Sequence, residues 1–419
     1  MKKSFTIAGG GIGGLVTALC LHKNGHVVRV YESVNELKPL GVGINLLPHA
    51  IRILDYLGLV PELEKIGIKT SNLVYANRLG QIFLSDPRGT FAGYKWPQFS
   101  IHRGLLQQML YRQCVATLGS DKIILGHHLE SFSQTQDAIT AVFTQNNDTK
   151  KRVKVDSDVL IGADGIHSVS RAQCYPEEGK VIFSGNILYR GTSLMPPFLN
   201  GSTMAMIGSN QQKMVIYPIG LPHPTTGLQH INWVANLKAE AHENGGIQDW
   251  NKEVEKTFLL EKYKAWRYDW LDVYEMINRA ASLYEFPMSD RNPLQKWSFG
   301  RFSLLGDAAH PMYPIGSNGA SQAILDAASL TEAFRRETTV EQALKVYEEN
   351  RLPATSKIVI QNRKKGPDAI LDLMENRFPT GFSAEEIPHS EIDATMSNYK
   401  KTAGFDIQTL NQKTASLEE

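Results

Sequence analysis

The chain has 419 residues, 42% of them hydrophobic and 21% charged, and 44 Lys and Arg balance 43 Asp and Glu to a net charge of +1. That apolar content with so little net charge excludes bulk disorder, and the neutral balance leaves no global field to attract nucleic acid or an anionic membrane. The length predicts two or three domains, and three widely spaced cysteines, Cys20, Cys114 and Cys174, offer no metal-ligand spacing and indicate a reducing, cytoplasmic setting.

Met1-Lys2-Lys3 and the apolar run behind it look like a secretory signal, but the run to Cys20 holds five glycines and bulky Leu19 stands where a small cleavage-site residue is needed. No apolar stretch reaches the ~20 residues of a membrane helix, so no membrane insertion is expected. Residues 4–8 predict a short buried strand. Gly9, Gly11 and Gly14 then fit the G-x-G-x-x-G spacing, with Ile12 and Gly13 inside it. A helix follows, with Ile12, Leu15, Val16 and Leu19 on one face and Asn24-Gly25 as its stop. A second strand over residues 27–31 ends at Glu32, 18 residues past Gly14. Each part has a chemical reason. Gly9 permits a tight turn, Gly11 lets backbone approach a pyrophosphate, and Gly14 lets helix and strand pack closely. The helix N-terminus offers free N–H groups to phosphate oxygens. An acid at Glu32 accepts ribose hydroxyls and disfavours a 2′-phosphate, which indicates FAD or NAD over NADP.

Farther along, Ile101-His102-Arg103 opens an amphipathic helix. A cation at a helix N-terminus is locally unfavourable, so Arg103 is expected to face an anionic or polar ligand. His127-His128 lacks a third ligand, so no metal is expected, and the basic run 150–154 reads as the solvated face of a hairpin. Residues 159–162 form a strand ending in Gly162-Ala163-Asp164-Gly165, with Ser168 and Arg171 behind it. Alternating segments at 214–217 and 231–234, separated by turn signals, predict an antiparallel sheet. Tyr217 and Trp233 on those strands are candidates for a substrate pocket. Trp250, Trp266 and Trp270 read as the core of a helical stretch.

Near residue 300 a strand ends at Gly306-Asp307, where ligands of α/β sheets sit. Ala308-Ala309-His310-Pro311 follow, then Met312-Tyr313-Pro314-Ile315-Gly316-Ser317-Asn318-Gly319-Ala320 run into a helix with Ala320, Ala323, Ile324, Ala327, Leu330 and Phe334 on one stripe. This second helix N-terminus stabilises negative charge. Beyond residue 365 the sequence is polar and patternless, and residues 402–419 read as a mobile tail.

These motifs, in this order, resemble the single-component FAD-dependent aromatic hydroxylases with the p-hydroxybenzoate hydroxylase fold. The carrying residues are Gly9 to Gly14, Glu32, Gly162-Ala163-Asp164-Gly165 and Gly306-Asp307-Ala308-Ala309-His310 with Pro314. The stretches 39–45, 100–104 and 313–326 look closest to the phenazine-hydroxylating members. The resemblance implies an α/β fold: a Rossmann-like FAD-binding domain with a parallel sheet, a mostly antiparallel substrate domain and a C-terminal helical region. The FAD domain would be discontinuous over 1–71, 99–179 and 286–365, the substrate domain would span 72–98 and 180–285, and 366–419 would form the helical segment and tail.

By the same resemblance, Gly9, Gly11, Gly14 and Glu32 would hold the ADP half of FAD, with Arg103 reaching it from its helix. Asp164 would lie near the pyrophosphate, and Asp307, after Gly306, would bind the ribityl chain. Val42 and Gly43 would lie beside the isoalloxazine, Pro314 by the ring, and Gly316 to Ala320, including Asn318 and Gly319, at its pyrimidine edge. Met312 and Tyr313 join Pro314 as pocket candidates. The implied reaction is hydroxylation of an electron-rich aromatic ring, phenazine-like or otherwise fused, in which NADH or NADPH binds transiently and reduces FAD, and O2 adds at flavin C4a. An FAD-dependent reductase or dehydrogenase without oxygen insertion is the alternative reading.

Overall fold

The computed structural model describes residues 2–38, 42–146, 148–239 and 252–417. Trp250, the turn signal read at Asn244-Gly245-Gly246 and Pro39-Leu40-Gly41 lie outside the described residues. A six-stranded sheet runs in the order Ser298–Phe299, Phe302–Leu304, Val159–Gly162, Ser4–Ala8, Val27–Tyr31, Ile123–Ile124. All its pairings are parallel except the one at Ser298–Phe299. Parallel register puts Ala8 opposite Gly162, and Gly162 opposite Leu304. The loops after all three strands therefore leave from one edge, although they are far apart in sequence. Helices Ile12–Lys23 and Gly319–Arg336 start at that edge and pack together.

An eight-stranded sheet forms the second layer, in the order Lys252–Glu253, Leu283–Asp290, Ile182–Met195, Gln229–Lys238, Gln212–Pro218, Met204–Gly208, Asn72–Ala76, Ile82–Pro87. Its pairings are antiparallel except between Met204–Gly208 and Asn72–Ala76. Strand Leu283–Asp290 runs across the boundary expected at residue 285, because its pairing with Ile182–Met195 continues on both sides of it. Strand alternation splits the sheet into two faces. Ile187, Tyr189, Met214, Ile216, Trp233 and Ala235 pack into a core behind it. Leu188, Arg190, Lys213, Val215, Tyr217, Val234 and Asn236 occupy the other face, toward the parallel sheet.

A small sheet of Gly43–Leu46, Phe99–His102 and Gly67–Lys69 brings Val42 and Gly43 beside Arg103, whose N–H donates to the Val42 carbonyl at 3.0 Å. The basic run lies on the last strand of the hairpin sheet His127–Gln134, Ile139–Gln145, Asp148–Ser157, where Arg152 pairs with Glu130 at 2.7 Å. Cys20 and Cys114 are buried, and burial pushes both thiols up to about 12, so neither is poised as a nucleophile. No helix among the described residues is long and apolar enough to cross a membrane.

The mobile-tail expectation is corrected for residues 402–417. Helix His389–Thr402 leads into Phe405, which stacks on the buried His49 ring at 5.4 Å, and Tyr94 donates its hydroxyl to the Phe405 carbonyl at 2.7 Å. Helix Ile407–Asn411 follows, and the buried Arg52 guanidinium donates to Ser416 O at 2.6 Å. The apolar residues of this segment are too few and too irregular to show a period, yet Ala403, Phe405, Leu410 and Leu417 are buried in the main core. Phe405→Ala is expected to cost about 3–5 kcal/mol. Thermal denaturation checks this, and an unchanged transition would restore the mobile tail.

Candidate active site

The first glycine turn is built by sterics. Gly9 has φ +114°, and a Cβ there would overlap the Ala163 carbonyl. A Cβ at Gly14 would overlap the Gly9 carbonyl, and one at Gly13 would sit 3.1 Å from the Ala323 Cβ on the opposing helix. Gly11 is different: a Cβ there would meet nothing within 4 Å. It caps helix Ile12–Lys23 and faces open space, so the first-turn N–H groups point at room for a ligand. Gln107 donates to the Gly10 carbonyl at 2.8 Å and holds the turn from the helix that starts at Arg103. Glu32 is buried and already accepts three bonds, from Gly10 N at 2.6 Å, Ser33 Oγ at 2.9 Å and Val34 N at 3.0 Å. A carboxylate has about four acceptor sites, which leaves room for roughly one further donor.

The second loop is fixed from below by one carboxylate. Asp326, fully buried on helix Gly319–Arg336, accepts Gly306 N at 3.0 Å, His310 Nε2 at 2.6 Å and Arg351 Nε at 2.8 Å. Burial alone would raise its pKa, but the His310 and Arg351 charges and hydrogen bonds outweigh that and hold it at about 2. Arg171, also buried, donates to the carbonyls of Ala308 at 3.0 Å and Ala309 at 2.9 Å and pairs with Glu178. Asp307 is thereby left exposed on the cavity side of a rigid loop. Gly316 and Ser317 both take left-handed backbone, with φ 70° and 53°. A Cβ at Gly316 would overlap the Tyr399 hydroxyl, which donates to Ile315 O at 3.2 Å. The C-terminal segment thus shapes the start of helix Gly319–Arg336. Asn318 Nδ2 is buried without a partner at that helix start.

Between the sheets lies one continuous cavity of about 500 Å³. Gly11 to Gly14, Val42, Gly43, Arg103, Gly306, Asp307, Asn318, Gly319 and Ala320 line one side. Leu188, Met206, Val215, Tyr217, Val234, Phe286 and Met288 line the other, with Met312 and Pro314 at the junction. Gly43 touches both sides: its N–H donates to Asn232 Oδ1 at 2.6 Å, and a Cβ there would lie 2.5 Å from the Tyr217 ring. Arg103 has no ion-pair partner among the described residues. Arg190 projects from the second sheet with its guanidinium 5.0 Å from the Phe286 ring centre. Its buried Nε has no hydrogen-bond partner, and no carboxylate pairs with it among the described residues.

A family model described as an FAD binding domain matches residues 3–362. The chain belongs to that FAD-binding family. It is 38% identical over 366 residues to phenazine 1,6-dicarboxylic acid hydroxylase PhzS of Lysobacter antibioticus, covering 87% of this chain and 90% of that one. It is 28% identical over 367 residues to 3-hydroxybenzoate 6-hydroxylase of Polaromonas naphthalenivorans, covering 86% of each. In fold it is similar to a salicylate hydroxylase substrate complex, with a TM-score of 0.74 at 19% identity over 100% of this chain and 99% of that one. Klebsiella pneumoniae HpxO complexed with FAD and uric acid gives 0.74 at 21%, over 94% and 96%.

The residues present fit FAD: an open glycine turn, unpaired helix N–H groups, Arg103 without an ion-pair partner among the described residues, and Asn318 with its unpaired Nδ2 all border one cavity. Three expectations change. Trp233 does not line the cavity. Alternation turns it to the far face, where it is fully buried and donates to Ser193 Oγ at 2.9 Å. Tyr313 is buried in a small cluster with Leu188, Met288 and Ile315. The Asp164 carboxylate turns inward to accept Ser168 Oγ at 2.6 Å, Ser170 Oγ at 2.7 Å and Ser170 N at 3.0 Å, so it shapes its loop while Ala163, Gly165 and Ile166 face the cavity.

Sequence reasoning missed Arg190, Gln107, Asp326 and Arg351. The charged Arg190 between apolar neighbours on a buried strand was the available signal.

Two outcomes are expected. Gly14→Ala should yield protein without bound flavin, read as lost absorbance near 450 nm. Asp326→Asn should lower stability by about 3–5 kcal/mol, because Arg351 loses its buried counter-charge. It should also remove an acid-side dependence. Asp326 has a folded pKa of about 2, below the ordinary ~3.9, so its contribution is present above about pH 4 and lost as pH falls through about 2. Melting curves across that window check the sign.

Proposed function

We propose that this chain is an NAD(P)H- and O2-dependent FAD monooxygenase that hydroxylates a fused-ring aromatic carboxylate. The observation that carries the reading is Arg190. It is a cation among the apolar residues Leu188, Val215, Val234 and Phe286, without a carboxylate partner among the described residues, opposite the FAD-family loops. A half-buried guanidinium whose buried Nε has no partner gains from a counter-ion, and a planar anion stacked beside Phe286 would supply one. The name of the relative, a phenazine 1,6-dicarboxylic acid hydroxylase, supports a planar ligand that carries a carboxylate.

FAD, when bound, supplies the redox chemistry: it takes electrons from the nicotinamide and activates dioxygen. The chain's own residues bind, orient and exclude water. Gly11 to Gly14 present N–H groups to the pyrophosphate, and Glu32 gives its remaining acceptor site to the adenosine ribose. Asp307 accepts from the ribityl hydroxyls, and Arg103 meets phosphate or flavin oxygens. The start of helix Gly319–Arg336, with Asn318 Nδ2, places donors and positive potential at the pyrimidine edge. Leu188, Met206, Val215, Val234, Phe286 and Met288 keep water from the reacting ring.

Incubation with ¹⁸O2, NADH or NADPH and phenazine-1-carboxylate should give a product heavier by one labelled oxygen. Unlabelled oxidised product would favour the reductase or dehydrogenase reading. Asp307→Ala should weaken FAD retention roughly tenfold or more, the worth of one charge-assisted hydrogen bond, measured by flavin release on dilution. Arg190→Met should raise the KM for the acid far more than for its uncharged amide.

A further inference from the structure

A second polar station lies on the same cavity wall, built from two segments that no motif connects. Lys213 is on strand Gln212–Pro218, and Asp368 closes the short turn Gly366–Asp368 of the C-terminal region. The two form an ion pair through Asp368 Oδ2. They are 4% and 2% exposed, and both line the cavity.

The bonding of this pair is incomplete in a directed way. Asp368 Oδ1 is buried and accepts no hydrogen bond. Asp368 also stands at the N-cap of helix Ala369–Arg377, where aspartate commonly accepts a backbone N–H, yet its side chain makes no cap bond. The carboxylate forgoes that local bond and turns to Lys213 and the cavity. Asn236, directly across the strand pair from Lys213, also lines the cavity, and its buried Oδ1 has no partner. Two unpartnered acceptors therefore flank Lys213, one strand pair along from the row that holds Arg190, Val234 and Val215. A buried acceptor left without a donor costs about 1–3 kcal/mol, so this end of the cavity is complementary to a ligand that brings a hydrogen.

We propose that Asp368 Oδ1, oriented by Lys213 and flanked by Asn236, is a substrate-contacting acceptor that selects ring compounds bearing an O–H or N–H donor. This rests on the aromatic reading given under Proposed function and deepens it. One part of the ligand, its anion, meets Arg190, and another, its donor, meets Asp368. A second carboxylate at this end would face Asp368 Oδ1 and is rejected, so the preferred substrate is not a symmetrical diacid. Accepting a hydrogen bond from a ring hydroxyl also pushes electron density into the ring that is to be oxygenated.

The test titrates FAD-loaded enzyme with phenazine-1-carboxylate and its 6-hydroxy, 6-amino and 6-methoxy derivatives, which all keep the anion for Arg190, following the flavin absorbance change. The hydroxyl and amino compounds should bind at least tenfold more tightly than the other two, and comparing these two arms identifies the preferred donor. The double variant Lys213→Met with Asp368→Leu removes both charges together and avoids a lone buried ion. It should bind all four compounds within about threefold of one another. If that variant does not fold, Asp368→Asn, which keeps the shape, should narrow the ratio. Equal binding of all four to the wild-type enzyme, as expected if Oδ1 is satisfied by water alone, would overturn the proposal while leaving the aromatic reading intact. A ratio that persists in the variants would also overturn it. If the yellow wild-type enzyme binds none of the phenazines, the aromatic reading itself fails, and this assignment with it.

Discussion

The buried carboxylate of Asp326 is the interaction on which the site depends. It ties the backbone of Gly306 to His310 and Arg351 inside a helix that also packs on the first glycine turn. Its two oxygens hold three donors with no water needed, so the loop bearing Asp307 has one position relative to Gly11. The small residues at Gly13 and Ala323 let the two helices approach closely enough for both N-termini to open on one cavity. A larger residue at either place would separate the ends that a dinucleotide must bridge.

The second sheet contributes through its parity. Each strand gives alternate residues to a dry core and to the cavity, and the charged or amide-bearing residues Arg190, Lys213 and Asn236 fall on the cavity side. The wall is apolar enough to exclude water, and its few polar groups are incompletely bonded within the chain. Such groups are costly in an empty core but suit a site that binds a polar ring.

The C-terminal segment takes part in both halves of the site. Tyr399 fills the space that Gly316 leaves, and Asn362 links the Tyr399 hydroxyl to the Tyr313 carbonyl. Asp368 reaches the second sheet. The residues after the last helix of the family match, which ends at residue 362, therefore shape the cofactor loop and the substrate wall together.

Much of this was legible in the sequence where the chemistry is local. A glycine turn, its helix and the acid after the next strand are contiguous, so Gly9 to Gly14, Glu32 and the Gly306-Asp307 strand end could be picked out from spacing, while the parallel sheet was implied by the family resemblance. Which way a side chain faces is set by register, and register comes from pairing between distant strands. Tyr217 and Trp233 were therefore indistinguishable as letters, although one lines the cavity and the other is buried behind the sheet. Asp164 likewise reads as a ligand-facing acid until Ser168 and Ser170 are seen to occupy it. The Asp326, Arg190 and Lys213–Asp368 arrangements join residues far apart in the chain. Only the tertiary structure decides them, because a buried charge acquires its role from the partners that folding brings within hydrogen-bond reach or withholds.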